Sequence, residues 1–292
     1  MDRLEAHRLF FARLVTSRAG GPEATDQLIE AFSSVPREQF VGPGPWKVFA
    51  SGGFIDTPTA DPAFLYQDIL VALAPERRIN NGEPSLHAIS LAALNVSEGE
   101  TIVHIGAGTG YYTAILAELT GNSGTVLAYE IEQDLAQRAA TNLSSWKNVS
   151  VIQQSGSEGT LPACDVVYVS AGATHPLDTW LDALRPNGRL LFPLTPMEGA
   201  TGAPGLGGML LVKRVGDAGY SARFVCRAAF IPCIGARDEA TAVRLSESFA
   251  RGGLQDVGSL WRGTIPDATC WCAGKGWWLS SSEISSEKTS NY

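Results

Sequence analysis

Basic residues are scarce: 22 Lys and Arg stand against 30 Asp and Glu, a formal net charge of −8 over 292 residues. No basic stretch offers the counterion release that drives binding to a phosphate backbone, so no nucleic-acid partner is expected. Long apolar runs are missing too. None approaches the ~20 residues of a membrane-spanning helix, and residues 1–15 carry charges throughout, which predicts no signal peptide and no membrane association. Cysteines are few and odd in number: Cys164, Cys226, Cys233, Cys270 and Cys272. Their spacing matches no zinc knuckle. Reduced thiols in a cytoplasmic protein are expected, and no metal site. What is plentiful is apolar: 45% of residues are hydrophobic and only 18% charged. A chain of this kind can bury a substantial core, as a compact enzyme does.

Residues 4–18 and 24–34 place Leu4, Phe10, Phe11 and Leu14, then Leu28, Ile29 and Phe32, at helical spacing, with Thr25 or Asp26 as a cap for the second helix. Pro36 and the run Gly42-Pro-Gly-Pro45 break regular structure. Residues 50–82 lack periodicity, and a connection of that length is expected to be functional. Pro84 opens a helix that continues through Leu94.

From Thr101 the pattern alternates: strand 101–106, helix 111–120, strand 125–130, helix 132–143, strand 149–154, strand 165–170 and helix 176–184. The turn Arg185-Pro-Asn-Gly188 then feeds strand 189–194. Such alternation predicts an α/β fold with a doubly wound, Rossmann-like parallel sheet covered on both faces. Strands 209–215 and 221–230 read as an antiparallel hairpin. Helix 238–250 and a Trp- and Cys-rich stretch, 256–279, follow, and the Ser-rich end, 281–292, reads as disordered. The expected organisation is a helical N-terminal region (1–95), a core (96–230), a small C-terminal appendage (231–280) and a tail.

The most telling stretch is Thr101-Ile-Val-His-Ile-Gly-Ala-Gly-Thr-Gly110. A β-branched run ends in Gly106, Gly108 and Gly110, and a helix starts at once. A turn without side chains lets a ligand lie against main chain, and a helix start offers unpaired N–H groups. A dinucleotide fingerprint would place its third glycine at position 111, where Tyr111 stands. The spacing therefore favours S-adenosylmethionine over NAD. His104, Gly106, Ala107, Gly108, Gly110 and Thr113 are the candidate cofactor-binding residues of this turn. Glu130 ends the next strand, about twenty residues on, where a carboxylate suits a two-pronged grip on ribose hydroxyls; Ile131 follows it. Ser170, at the end of a later strand, is small enough for close approach.

Several segments resemble the protein-L-isoaspartate O-methyltransferase family. They are Val35-Pro-Arg-Glu-Gln-Phe-Val41, Tyr66-Gln-Asp68, Gly110-Tyr-Tyr-Thr-Ala114, Cys164-Asp-Val-Val-Tyr-Val-Ser-Ala171 and Leu184-Arg-Pro-Asn-Gly-Arg-Leu-Leu-Phe-Pro193. The similarity covers about residues 28 to 230 and keeps the order of the motifs; the first segment is the most specific of them. The resemblance implies a seven-stranded methyltransferase fold, S-adenosylmethionine as donor, and a carboxylate acceptor on a peptide or protein. The same chemistry on a small-molecule acid or another nucleophile, and a protein that holds the donor without catalysis, are the alternatives.

Three departures stand out. The family's Thr/Ile-Ser-x-Pro segment over the reaction centre becomes Asn80-Asn-Gly-Glu-Pro84, with Gly82 at the hydroxyl position. The acidic residue before the glycine turn becomes His104. The family's Gly-Asp-Gly, whose acid approaches the adenine amine, becomes Gln154-Ser155-Gly156, so Ser155 and Gly156 are expected at the adenine. Candidate catalytic residues on the acceptor side are Asn80, Asn81, Gly82 and His87, with Tyr66, Asp68, Glu83 and Ser85 nearby. The two asparagines are placed to replace the lost hydroxyl as donors to a carboxylate.

Overall fold

A computed structural model describes residues 2–19, 22–50, 53–199, 203–216 and 219–284. The chain forms two compact units, Met1–Gln154 and Ser155–Tyr292. These are not the regions drawn from the sequence, whose boundaries fell at 95 and 230. From residue 285 on, the tail expected to be disordered lies outside the described residues.

In the first unit, α1 (Arg3–Thr16) begins at Asp2, whose side chain accepts from Glu5 N–H while the Glu5 carboxylate accepts from Asp2 N–H. This reciprocal pair satisfies two orphan donors of the first turn. The helix buries Phe11, Ala12, Val15 and Thr16; Phe10 and Leu14, expected on the inner face, are exposed. Helix α2 (Pro22–Ser34) starts at a proline, ahead of the cap expected at Thr25 or Asp26. Proline is favoured there because the missing N–H has no partner in the first turn anyway. Phe11 meets Phe32 and Tyr66, and Phe32 and Phe40 meet Tyr111, edge to face at 5.6–6.4 Å.

The region 50–82, without period in the sequence, carries two short hairpins: β1 (Lys47–Ala50) with β2 (Gly53–Asp56), and β3 (Ala72–Ala74) with β4 (Ile79–Asn80). Val41, Trp46, Val48, Leu65 and Val71 form a small core beneath them. Helix α3 (Pro84–Leu94) leads to strand β5 (Thr101–Ile105), helix α4 (Tyr111–Thr120), strand β6 (Thr125–Glu130), helix α5 (Gln133–Asn142) and strand β7 (Val149–Gln153). The three strands are parallel, with Ile105 beside Tyr129 and Glu130 beside Gln153. Apolar β-branched residues are buried along β5, as a strand covered on both faces requires.

The second unit contains β8 (Cys164–Val169), α6 (Asp178–Asp182), β9 (Leu184–Leu194), β10 (Gly207–Val215), β11 (Gly219–Ala228), α7 (Glu239–Arg251), β12 (Ser259–Arg262), β13 (Cys270–Gly274) and β14 (Trp277–Ser280). Strands β8 and β9 pair in parallel; β9, β10, β11, β12, β14 and β13 follow one another antiparallel. The α/β fold and the antiparallel hairpin of β10 and β11 are as expected; β12, β14 and β13 extend the antiparallel part beyond that hairpin. Arg185-Pro-Asn-Gly188 is not a turn before β9. It is a bulge inside it: the partner of Cys164 is Leu184 and that of Val166 is Arg189, with Asn187 at φ 64°. The expected C-terminal appendage does not stand apart either, because β12 pairs with the edge of β11. Trp271, Trp277 and Trp278 are buried there as core. Among the described residues, no helix is long and apolar enough to cross a membrane. No group of three His, Cys, Asp or Glu among them could hold a metal ion.

Candidate active site

The glycine turn joins β5 to α4. Gly106, Gly108 and Gly110 have φ of 76°, 58° and 98°, which residues with a side chain rarely adopt. The glycines differ in what they make room for. A Cβ on Gly110 would stand 2.7 Å from Leu143 Cδ1, so this glycine lets the start of α4 close on the end of α5. A Cβ on Gly108 would meet only Leu73 Cδ1, at 3.6 Å. Main chain at 108 is thus bare.

Four main-chain N–H groups of the turn are engaged within the protein. Those of Gly106 and Ala107 donate to Tyr129 carbonyl at 2.9 and 3.1 Å, and that of Gly110 to Ala107 carbonyl at 2.9 Å. The Gly108 N–H donates to Glu130 Oε2 at 2.6 Å. The turn is tied to the end of the neighbouring strand β6.

Glu130 is 5% exposed at the tip of β6. Oε1 accepts from Glu132 N–H at 2.9 Å. Burial pushes its pKa up, while these main-chain donors pull it back. The carboxylate is fixed against the glycine turn, as a group that must present oxygens in one direction has to be. Ile131, beside it, is exposed.

His104 does not face out of the turn. It is buried, with Nδ1 2.9 Å from Thr113 Oγ1, so these two expected ligand contacts fasten β5 to α4. Burial lowers the His104 pKa to about 3, which keeps the ring neutral at physiological pH.

The 80–87 segment builds the second half of the site. Asn80 Oδ1 accepts from Gly82 N–H at 2.9 Å, a side-chain-made turn. Gly82 has φ 74°, and a Cβ there would fall 2.2 Å from His87 Nε2. The imidazole occupies the volume where a side chain at 82 would begin. His87 is itself buried and stacked on Tyr112, ring centroids 3.5 Å apart. Burial, then the neighbouring His104 and Arg37, hold its pKa well below the usual value. The Tyr112 hydroxyl donates to the Gly82 carbonyl at 3.3 Å. Since Tyr112 lies in the first turn of α4, the 80–87 segment is anchored beside the glycine turn.

Tyr66 and Asp68 brace this segment. The Tyr66 hydroxyl donates to Glu38 Oε2, and Asp68 Oδ1 accepts from Ser85 N–H at 2.8 Å, at the start of α3. Burial and the nearby Asp68 carboxylate raise the Glu83 pKa.

Ser155, Gly156 and Ser170 belong to the second unit. Ser155 Oγ lies 2.9 Å from Ser157 Oγ, Gly156 carbonyl accepts from Trp180 Nε1 at 2.8 Å, and Ser170 is half-buried just after β8.

Sequence reasoning missed Thr109. Its Oγ1 is buried in the glycine turn with no hydrogen-bond partner, while its carbonyl accepts from Asn142 Nδ2 at 3.0 Å. An orphaned buried hydroxyl, a bare glycine and a fixed carboxylate together fit a nucleoside ligand carrying polar groups.

The family profile described as Protein-L-isoaspartate(D-aspartate) O-methyltransferase (PCMT) matches residues 13–237. The chain is 32% identical over 172 residues to Protein-L-isoaspartate O-methyltransferase 2 of Archaeoglobus fulgidus, covering 58% of this chain and 70% of that protein. It is 28% identical over 229 residues to Protein-L-isoaspartate O-methyltransferase 2 of Syntrophobacter fumaroxidans, covering 77% and 81%. A solved protein-L-isoaspartate O-methyltransferase structure superposes with a TM-score of 0.63 at 20% identity, covering 83% of this chain and 69% of that one. A Plasmodium falciparum structure described as a beta-aspartate methyltransferase, in complex with S-adenosyl-L-homocysteine, gives a TM-score of 0.57 at 17% identity, covering 80% and 100%. At these identities the structures speak to the fold.

Proposed function

The chain belongs to the protein-L-isoaspartate O-methyltransferase family, and from that premise we propose that it methylates the free carboxylate of isoaspartyl residues in peptides or proteins. The observation that carries the reading is the profile match over 13–237, which takes in the 80–87 segment, the glycine turn and Glu130.

The methyl donor of this chemistry is S-adenosylmethionine, which supplies a methyl group already activated by a positive sulfur. Glu130 would hold its ribose, the main chain at Gly108 would lie against it, and Thr109 Oγ1 would find its missing partner there.

An acceptor carboxylate is ionised at neutral pH and needs no base to activate it. The residues here suit that: His87 and His104 are both kept neutral by burial. What the protein must do is align the acceptor oxygen and exclude water. The stacked His87 and Tyr112, with the buried Tyr111, wall this side of the site. We place the protein in the cytoplasm, on the odd and small number of its cysteines.

The test is a radiolabelled methyl-transfer assay with an isoaspartyl peptide and the same peptide carrying ordinary aspartate. Base-labile label on the isoaspartyl peptide alone is expected. Label on neither peptide, with label on a small-molecule acid, overturns the acceptor assignment.

A further inference from the structure

Arg37 lies in the most specific of the family-like motifs, yet it is fully buried. A guanidinium is always charged and only donates, and a cation taken out of water calls for compensation. Its hydrogen-bond acceptors are four oxygens. Nη1 donates to the carbonyls of Leu65 and Gln67 at 2.6 and 3.0 Å; Nη2 donates to the Ile69 carbonyl at 2.6 Å and to Asn81 Oδ1 at 3.0 Å. None of them is a carboxylate. The adjacent carboxylate, Glu38, is engaged by the Tyr66 hydroxyl instead. Phe11 and Tyr111 complete the surroundings, with ring centroids 5.6 and 5.9 Å from the guanidinium carbon. The charge is hydrogen-bonded but not neutralised.

Asn81 is the link from this charge to the site. Because Arg37 has only hydrogens to offer, the amide end facing it must be the oxygen, which settles the orientation of the side chain. The other end, Nδ2, is buried and has no hydrogen-bond partner. Asn81 retains 7% of its surface as a residue, while Nδ2 itself is covered. Its main chain is pinned, N–H to the Val71 carbonyl at 2.9 Å. The next residue is Gly82, whose carbonyl is held by Tyr112 at the start of α4. Arg37 Nε and the Tyr111 hydroxyl are buried without a hydrogen-bond partner as well; each such donor requires an explanation, and Nδ2 is the one on the 80–87 segment.

We infer that Asn81 Nδ2 is the hydrogen-bond donor that receives the acceptor's anionic oxygen, and that Arg37 is a positioning residue that orients this amide and supplies the unbalanced positive charge. The inference rests on the methyltransferase reading and narrows it, favouring an acceptor that arrives as an anion over a neutral amine or thiol. A cation bonded to the amide oxygen strengthens donation from its nitrogen. In a weakly screening interior the same cation stabilises a negative charge brought near it. The lost hydroxyl at position 82 is thereby replaced from the preceding residue.

The decisive variant is Asn81→Asp. It keeps shape and an oxygen toward Arg37, so the fold is retained, but it removes the donor and places a negative charge where the acceptor's would go. With the isoaspartyl peptide, KM is expected to rise about 100-fold, while affinity for S-adenosylhomocysteine by calorimetry stays within about twofold. The second measurement is the Asn81 side-chain NH₂ resonance, assigned by its loss in Asn81→Asp. In protein loaded with S-adenosylhomocysteine it should move downfield on adding the peptide. In Arg37→Lys it should be displaced before any peptide is added, with peptide binding weakened and S-adenosylhomocysteine binding retained. Wild-type KM in Asn81→Asp, or an unmoved resonance at saturating peptide, overturns the inference. Should the wild-type protein methylate no isoaspartyl peptide, the functional reading fails separately. The same resonance titrated with acetate then decides the inference, a shift supporting it and no shift overturning it.

Discussion

At the scale of single residues, Glu130 and Gly82 carry the sharpest expectations. Glu130→Gln preserves shape but replaces one charged oxygen by an NH₂ that faces main-chain N–H groups. Hydrogen bonds to a charged group contribute about 1.5–3 kcal/mol, so S-adenosylhomocysteine affinity should fall about 10- to 100-fold by calorimetry. Gly82→Ser would put back the hydroxyl that the family carries there, yet it should not raise methylation of an isoaspartyl peptide. The new Cβ would strike His87 Nε2 and sit at φ 74°. A drop in Tm of about 4–8 °C is expected, from roughly 2 kcal/mol of backbone strain and collision. An unchanged Tm by calorimetric scan would show that His87 yields freely. The conformation of the glycine turn and the position of Glu130 were legible in the sequence because both follow from local rules: positive φ at glycine, and a carboxylate at a strand tip. Gly82 as a partner of His87, and Thr109 as an orphan, were not. Both depend on which atoms lie across a gap, and no spacing encodes that. Arg37 was visible only as part of a motif. Its partners lie 28–44 residues away, and an arginine reads in sequence as a surface cation.

At the scale of elements, the alternation from Thr101 onward gave strands and helices close to those observed, because apolar β-branched runs and glycine stops recur there. It failed where local chemistry pointed the wrong way. Arg185-Pro-Asn-Gly188 has the composition of a turn, but the strand on either side tolerates it as a bulge, with Asn187 in the left-handed region. The strands β12 to β14 are short and rich in Trp, Cys and Ser, so they show no clean alternation. Tertiary packing makes them strands: Trp271 meets Phe224 and Phe249, both at 5.3 Å, and its Nε1 donates to the Gly252 carbonyl at 2.8 Å. Trp271→Ala should therefore lower stability by about 3–5 kcal/mol, read by urea unfolding. A loss under 1 kcal/mol would mean that these strands contribute little to the second unit.

At the scale of the whole molecule, the buried histidines make stability depend on pH. His104 has a folded pKa of about 3 against 6.5 as the ordinary value, and His87 is lowered as well. The unfolded chain therefore takes up these protons first as acid is added. Stability from this source is complete above about pH 6.5 and is lost as pH falls toward 3. For His104 alone the loss at pH 5 is about 2 kcal/mol. Glu83 and Glu130, whose pKa values are raised, act in the opposite sense once they begin to take up protons. The comparison of wild type with His104→Gln isolates the histidine: the variant's Tm should change less between pH 7 and pH 5, and parallel curves would refute the assignment.

The grip of Glu130 on its own main chain has one more consequence. A carboxylate offers about four lone-pair directions, and Gly108 and Glu132 already use one on each oxygen. The Ile131 N–H bears on the same carboxylate, so only part of its accepting capacity is left over. On the proposed reading, a vicinal cis-diol would bring two hydroxyls to a carboxylate already held in place, whereas a sugar lacking either would bring one. A ribonucleoside would then be favoured over its deoxy counterpart by a side chain that needs no rearrangement to meet it.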